Sequence, residues 1–384
     1  MKKTLLQLIA LALLVWTWNA PVTAQNSQPY AVSVPVVESN VASISQAGMS
    51  SLSNLPEADT FIFINPRRIL NEAAPRVLQA KELADMRNAF EQAKQATGVD
   101  PTKIDYIVLA VRFRKPSAEL AFLPPELMAV AGGDFSADSL LALAKGALGD
   151  KLRDQTYGAK TLSLMTVDPL VKEAEKNPML KSFTEIGVVP LNSSTIAVGT
   201  TPYLKAAVDA AAGNGRISPE SLASLLRDPN ALISFAGSPL GSFSKTFGLL
   251  GTEANARAPR CDSKFGDFYA AVTMDATNFM LRGFMNADNP DTAKIINNLI
   301  SGLLRQASSS MQDATTQSAL RKLTITAQEN EVVFNADFPH EMVAEFLKKQ
   351  MEAKKAAPQP TVESSTPPAK KPTRQRRPRR GSKP

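Results

Sequence analysis

The chain lacks most of the side chains that common catalytic and metal sites require. Its 384 residues include one histidine, His340, and one cysteine, Cys261. A zinc site built from several His or Cys ligands is therefore excluded, and so is an internal disulfide. A Ser-His-Asp triad would have to use His340, which falls at the predicted start of the last helix, and the sequence has no Gly-x-Ser-x-Gly motif. We therefore expect no cofactor and no metal ion.

Tryptophan is also scarce, and its two copies lie within the first 24 residues. Lys2 and Lys3 precede an apolar run that ends near Trp18, and Val22 and Ala24 then supply a small-x-small site. This combination is typical of a cleaved secretory signal. The apolar run is shorter than the ~20 residues that a membrane-spanning helix needs. We expect export to the periplasm or the cell exterior, with no transmembrane helix after cleavage; the alternative is a signal retained as an anchor.

Positive charge is concentrated at the C-terminus. The net charge is +7, but the segment from Glu352 onward holds ten Lys and Arg against two Glu. With the two lysines of the signal, this leaves the remainder of the chain at −3. The globular part is therefore predicted to be mildly acidic, and the high isoelectric point belongs to the tail.

The tail from residue 356 is rich in proline and almost free of side chains that could be buried, which predicts disorder. Seven basic residues in it form the predicted polyanion-binding site. They are Lys370, Lys371, Arg374, Arg376, Arg377, Arg379 and Arg380. Such a segment attracts polyanions by counterion release. Since the chain is expected to be exported, the predicted partner is an anionic envelope component, either lipid headgroups or acidic polysaccharide. No aromatic residue follows Phe346, so sequence-specific nucleic-acid recognition is not expected. The alternative is a solvated tail with no partner.

The region between signal and tail predicts an α+β fold with two similar halves. Each half is interpreted as strand, helix, hairpin, helix, hairpin and helix, which indicates an internal duplication and antiparallel sheets with helices packed on one face. The predicted boundaries are 1–24 for the signal, 25–54 for a flexible lead-in, 55–227 and 228–355 for the halves, and 356–384 for the tail.

Three carboxylates near one another, Asp275, Asp288 and Asp291, keep a carboxylate-dependent enzyme possible in principle. Their positions beside a turn and at a helix start favour capping instead.

The Leu55-Pro56-Glu57-Ala58-Asp59 opening resembles a family of exported bacterial proteins that begin a domain with a Leu-Pro-x-x-Asp strand. The resemblance implies a fold and supplies no site residues. Three functions follow as hypotheses. The first is a non-enzymatic, envelope-associated binding or scaffolding protein whose tail contacts anionic surfaces. The second is a carrier of a lipid or apolar small molecule in a sheet–helix pocket, and the third is a carboxylate-dependent hydrolase. The sequence predicts no particular oligomeric state.

Overall fold

The computed structural model describes residues 46–113, 125–166, 185–238, 266–310 and 314–356. The predicted signal, most of the predicted lead-in, Cys261 and the basic tail beyond Ala356 lie outside these residues.

The described strands form one continuous antiparallel sheet. They are β1 (Thr60–Ile64), β2 (Ile104–Arg112), β3 (Glu126–Gly133), β4 (Leu152–Tyr157), β5 (Lys160–Thr166), β6 (Glu185–Asn192), β7 (Thr195–Thr200), β8 (Ile233–Gly237), β9 (Phe268–Met274), β10 (Asn278–Asn286), β11 (Thr324–Gln328) and β12 (Glu331–Pro339). Their order across the sheet is β11-β12-β10-β9-β8-β1-β2-β3-β7-β6-β5-β4.

The described helices precede, separate or follow groups of these strands along the chain. They are α1 (Gln46–Leu52), α2 (Pro66–Arg68), α3 (Ala74–Val77), α4 (Ala80–Thr97), α5 (Ala137–Leu148), α6 (Thr201–Ala211), α7 (Pro219–Leu225), α8 (Pro290–Ser310), α9 (Ala314–Arg321) and α10 (His340–Ala356). The α+β class with a large antiparallel sheet is thereby confirmed.

The two halves meet at β1 and β8 and repeat one strand order outward from that junction. Thr60 pairs with Gly237 and Ile64 with Ile233. From the junction the first half continues β1-β2-β3-β7-β6, and the second continues β8-β9-β10-β12-β11. In both, a helix (α5 or α8) follows the third strand along the chain, and the last two strands form a hairpin whose second strand pairs with that third strand. The first half differs by one additional hairpin, β4–β5, at its edge.

The helices cover both faces of the first half and one face of the second. Phe61 and Phe63 of β1 point to a front face, where they share a core with Tyr203 and Leu204 of α6. Ile233 of β8 points to the opposite, back face. One hydrophobic cluster on that face includes residues of α3 and α10, and another includes residues of α8. The prediction of helices on one face therefore describes the second half. It fails for the first half because β1 and β2 are apolar on both sides, so each side requires a cover.

Local signals for several elements are confirmed. The Ser136 hydroxyl accepts a hydrogen bond from the N–H of Ser139 at 3.2 Å and caps α5, as its position before the apolar helix predicts. Gly149 ends that helix with φ +53°, a conformation that glycine adopts readily.

Between α2 and α3, residues Ile69–Ala73 form a π-helical turn in which the N–H of Ala74 bonds to the carbonyl of Ile69. Pro75 follows directly and cannot donate a backbone hydrogen bond, which favours this local change of pitch.

The end of the predicted flexible lead-in is a helix. Residues Gln46–Leu52 form α1, and Leu52 is completely buried in the front-face core beside Leu55. The prediction of flexibility through residue 54 is therefore wrong for this stretch. The helix is short and contains Ser50 and Ser51, and Leu52 is not part of a periodic apolar pattern, so the sequence offers little indication that this leucine is buried.

Strand β4 was also missed by the sequence analysis. It lies at one edge of the sheet and carries Arg153 and Asp154 in adjacent positions, so it shows little apolar alternation. Edge strands tolerate such residues because one side of the backbone faces solvent.

Candidate functional site

The seven basic residues predicted to bind polyanions lie within 357–384, outside the described residues. The last described element is α10, and it is followed directly by this segment. The polyanion-binding role of these seven residues therefore stays a prediction.

A partly buried polar cluster lies at one end of the first half. This lower end of the sheet is where β2 finishes at Arg112 and β3 begins at Glu126. The Arg112 side chain pairs with Glu126, its Nε donating to Oε2 at 2.7 Å. Glu126 is 8% exposed, so its carboxylate is poorly solvated and the Arg112 guanidinium helps to compensate for its burial.

Tyr203 of α6 packs beneath this ion pair. The Arg112 guanidinium carbon lies 4.6 Å from the centre of the Tyr203 ring, a cation–π geometry. The Tyr203 hydroxyl donates to the carbonyl oxygen of Glu57 at 2.9 Å. Burial raises the pKa of Tyr203 far above its ordinary value, so the phenol remains a neutral donor. Beside it, the Asp59 carboxylate accepts the N–H of Phe113 at 2.6 Å. These contacts position the start of β1 against the end of β2.

A second polar group continues along the lower end. Glu185, the first residue of β6, pairs with Arg153 and accepts a hydrogen bond from the Thr201 hydroxyl, each at 2.5 Å. Burial by itself would raise the pKa of Glu185, but the Thr201 hydrogen bond and the Arg153 charge lower it below its ordinary value. This carboxylate is therefore held ionised by structural contacts.

Three connections start from this same end. The registers place Arg112 and Glu126, Thr166 and Glu185, and Gly237 and Phe268 side by side along it. The segments that join these pairs span 114–124, 167–184 and 239–265, which lie outside the described residues. The described residues of the lower end therefore form the candidate site, with Arg112, Glu126 and Tyr203 in one group and Arg153, Glu185 and Thr201 in the other.

A surface depression of about 320 Å³ lies on α4, and its lining residues are Ala80, Leu83, Ala84, Arg87 and Asn88. All five belong to one helix. The depression therefore differs from the enclosed sheet–helix pocket that the carrier hypothesis predicts.

The three carboxylates singled out in the sequence have local structural roles or face solvent. Asp275 accepts the N–H groups of Thr277 and Asn278, both at 2.7 Å, in the turn between β9 and β10. Asp291 pairs with Lys294 one helical turn on, and Asp288 is exposed. The cap of α8 is Asn289, whose side-chain oxygen accepts the N–H of Thr292 at 2.8 Å. The capping interpretation is therefore confirmed for Asp275 in its turn. It is wrong for Asp288 and Asp291, because Asn289 supplies the helix cap.

Replacing Asp275 with alanine should destabilise the protein by about 1 kcal/mol at neutral pH, because two turn N–H groups lose a charged acceptor. The hydrogen bond from the Thr277 N–H lowers the pKa of Asp275 below its ordinary value of 3.8. Stability from this group is present above that value and is lost as the pH falls through the lower folded-state pKa. Thermal unfolding across an acidic pH series should show the wild-type and variant curves converging. A gap that stays constant to the lowest pH would contradict this role, and Asp288→Ala is the matched control.

His340 occupies the first position of α10, as predicted, and is buried. Its ring meets Phe279 edge-on with centroids 4.9 Å apart, and its Nε2 has no hydrogen-bond partner. Its surroundings are those of a packed core residue.

No group of three or more His, Cys, Asp or Glu among the described residues could hold a metal ion. The helices in that part of the chain include none that is both long and apolar enough to cross a membrane.

The Arg112–Glu126–Tyr203 cluster was not anticipated from the sequence. A weak signal was present, since Arg112 closes one apolar strand and Glu126 opens the next. A hairpin places such positions opposite each other, and opposite charges there attract. The participation of Tyr203, far away in the sequence, had no local signal.

No family model matches the chain, and no curated protein matches it. The chain is similar in fold to crystal structures of TP0453. Crystal form III has a TM-score of 0.40 and 11% identity, with 78% of this chain and 97% of that chain covered. Crystal form I gives 0.39 and 11%, with 78% and 96% covered. Crystal form IV gives 0.37 and 9%, with 77% and 95% covered. At these values the likeness supports no inference about function.

Proposed function

We propose that this chain is a non-enzymatic, exported protein of the cell envelope that binds or scaffolds partners and is held at anionic surfaces by its C-terminal tail. The observation that carries the proposal is the separation of charge. Seven Lys and Arg fall between Lys370 and Arg380, whereas the region before the tail is mildly acidic. An anionic surface therefore attracts the tail and weakly repels the globule.

In the described part of the globule, the charged side chains of the lower end make structural contacts, which supports a binding role. The ionised side chains of the lower end, Arg112, Glu126 and Glu185, are engaged in ion pairs that hold strands together. Groups fixed in this manner serve as a rigid frame rather than as proton carriers. A sheet whose polar end is held together by ion pairs suits a binding protein, and in the sequence the basic tail follows its last described helix.

The test is co-sedimentation of the full chain with vesicles across a salt series. One set of vesicles contains phosphatidylglycerol and the other only phosphatidylcholine. We expect binding to the anionic set alone, with affinity falling as salt rises because condensed counterions are released. Changing the seven basic residues between Lys370 and Arg380 to glutamine should weaken binding by about 10⁵-fold at low salt, since each basic residue near such a surface contributes about 1 kcal/mol.

The matched control keeps the charge and changes the side chains, with Lys370→Arg and Lys371→Arg in the same tail. It should bind as the wild type does, because the attraction depends on charge. A soluble acidic polysaccharide added as competitor distinguishes the two anionic sources, since it should displace the protein if it is the preferred partner. Equal binding by the wild-type and glutamine variants would refute tail anchoring.

A further inference from the structure

The two edges of the sheet differ in how they are protected. At one edge, β4 carries Arg153 and Asp154, which pair with Glu185 and Lys145. Charged side chains on an edge strand discourage pairing with another chain. At the other edge, the five residues of β11 are Thr-Ile-Thr-Ala-Gln and carry no charge. The β11 edge therefore lacks the protection that β4 has.

The register shows which backbone groups of β11 face away from the sheet. A two-residue turn joins Gln328 to Glu331, and Thr326 is opposite Val333. In such a hairpin the hydrogen-bonded pairs begin at the turn and recur at every second residue. The N–H and C=O groups of Ile325 and Ala327 therefore point outward, where the described part of the chain places no further strand.

We propose that a second copy of this chain pairs with β11 in antiparallel fashion, about a two-fold axis at Thr326. In this arrangement Ile325 of each copy exchanges hydrogen bonds with Ala327 of the other. Both are residues whose backbone groups point outward, so the pairing breaks no bond within the hairpin. The two sheets would join into one with the same faces aligned.

Charge favours this self-pairing. Arg321 and Lys322 precede β11, Glu329 and Glu331 follow it, and all four are exposed. Antiparallel pairing about Thr326 sets the basic end of one copy against the acidic end of the other. A parallel arrangement would instead place like charges together. The charge pattern thus selects both a partner, the same chain, and an orientation.

Helix α8 adds contact area to the same edge. It packs over β11 and β12 on the back face. Since neighbouring strands are about 4.8 Å apart, joining two β11 strands would bring the two copies of α8 to a separation of about 10 Å. This is the distance at which helices pack side by side.

The experiment uses two variants of the full chain in sedimentation velocity. Variant A carries Arg321→Glu and Lys322→Glu, and variant B carries Glu329→Lys and Glu331→Lys. The wild type should form dimers that dissociate on dilution. Each variant alone should dimerise at least about tenfold more weakly, because like charges then meet at both ends. An equimolar mixture of A and B should regain wild-type dimerisation, since the charges are again complementary.

Far-UV circular dichroism of each variant checks folding, and the mixture guards against a false positive, because misfolded chains would not recover on mixing. A wild type that stays monomeric at high concentration would overturn the proposal. The proposal would also be overturned if either variant by itself dimerised as strongly as the wild type. A mixture that stays monomeric while the wild type dimerises would overturn it as well. The tail is unchanged in every sample, so the result does not depend on the proposed function.

Discussion

Replacing Gly237 with alanine is expected to destabilise the protein by about 3 kcal/mol or more, or to prevent folding. Gly237 ends β8 at the junction of the two halves and has a φ of +148°, which side-chain-bearing residues rarely adopt. A Cβ there would collide with the carbonyl oxygen of Asp59 and lie 2.8 Å from the Cα of Thr60. Both neighbours are backbone atoms of the paired strand region, so relief requires the β1–β8 ladder to separate.

The matched control is the same chemical change at Gly146, within helix α5. A Cβ at Gly146 meets nothing within 4 Å. Alanine should therefore stabilise the helix by roughly 0.5–1 kcal/mol, because it restricts the unfolded chain more than glycine does. Urea unfolding followed by far-UV circular dichroism measures both. A urea midpoint for Gly237→Ala equal to that of the wild type would show that the β1–β8 junction accommodates a Cβ atom without loss of stability.

Replacing Arg112 with methionine should cost about 2–3 kcal/mol, the second large effect. The change leaves the Glu126 carboxylate, with a side chain 10% exposed, without its guanidinium partner. Removing one member of a buried ion pair leaves an uncompensated charge in a poorly solvated place. It also removes the cation–π contact with Tyr203. The partial exposure of Arg112 keeps the expected cost below that of a fully buried pair.

The double variant Arg112→Met with Glu126→Leu separates the charge effect from packing. Its stability should return to within about 1 kcal/mol of the wild type, because no buried charge is left. Arg153→Met is the control for an exposed pair and should cost less than about 1 kcal/mol. A double variant as unstable as Arg112→Met would show that packing of the arginine, rather than its charge, stabilises the lower end.

The parts of the fold that the sequence predicted are those with strong local signals. Strand β1 is a short apolar run, Ser136 and Gly149 bound α5, and α8 repeats apolar residues at helical spacing. The repetition of one element order in both halves was also visible along the chain. Each of these depends on residues near one another in sequence, where spacing alone carries the information.

The parts that were missed depend on contacts between distant segments. Leu52 becomes buried only because the front-face core accepts it, and β4 is a strand only because β5 pairs with it. The cluster of Arg112, Glu126 and Tyr203 assembles from three separate elements. In these cases tertiary structure determines the local outcome, and a single sequence offers little to detect it.

The junction of β1 with β8 also constrains how the chain acquires its structure. Strand β1 lies near the start of the globular region, whereas its partner β8 opens the second half. During synthesis, one side of β1 stays unpaired until β8 has been made. Pairings between such distant segments slow folding and expose a strand edge to other chains in the meantime. The molecule is therefore expected to fold slowly and to require protection from aggregation until its second half has emerged.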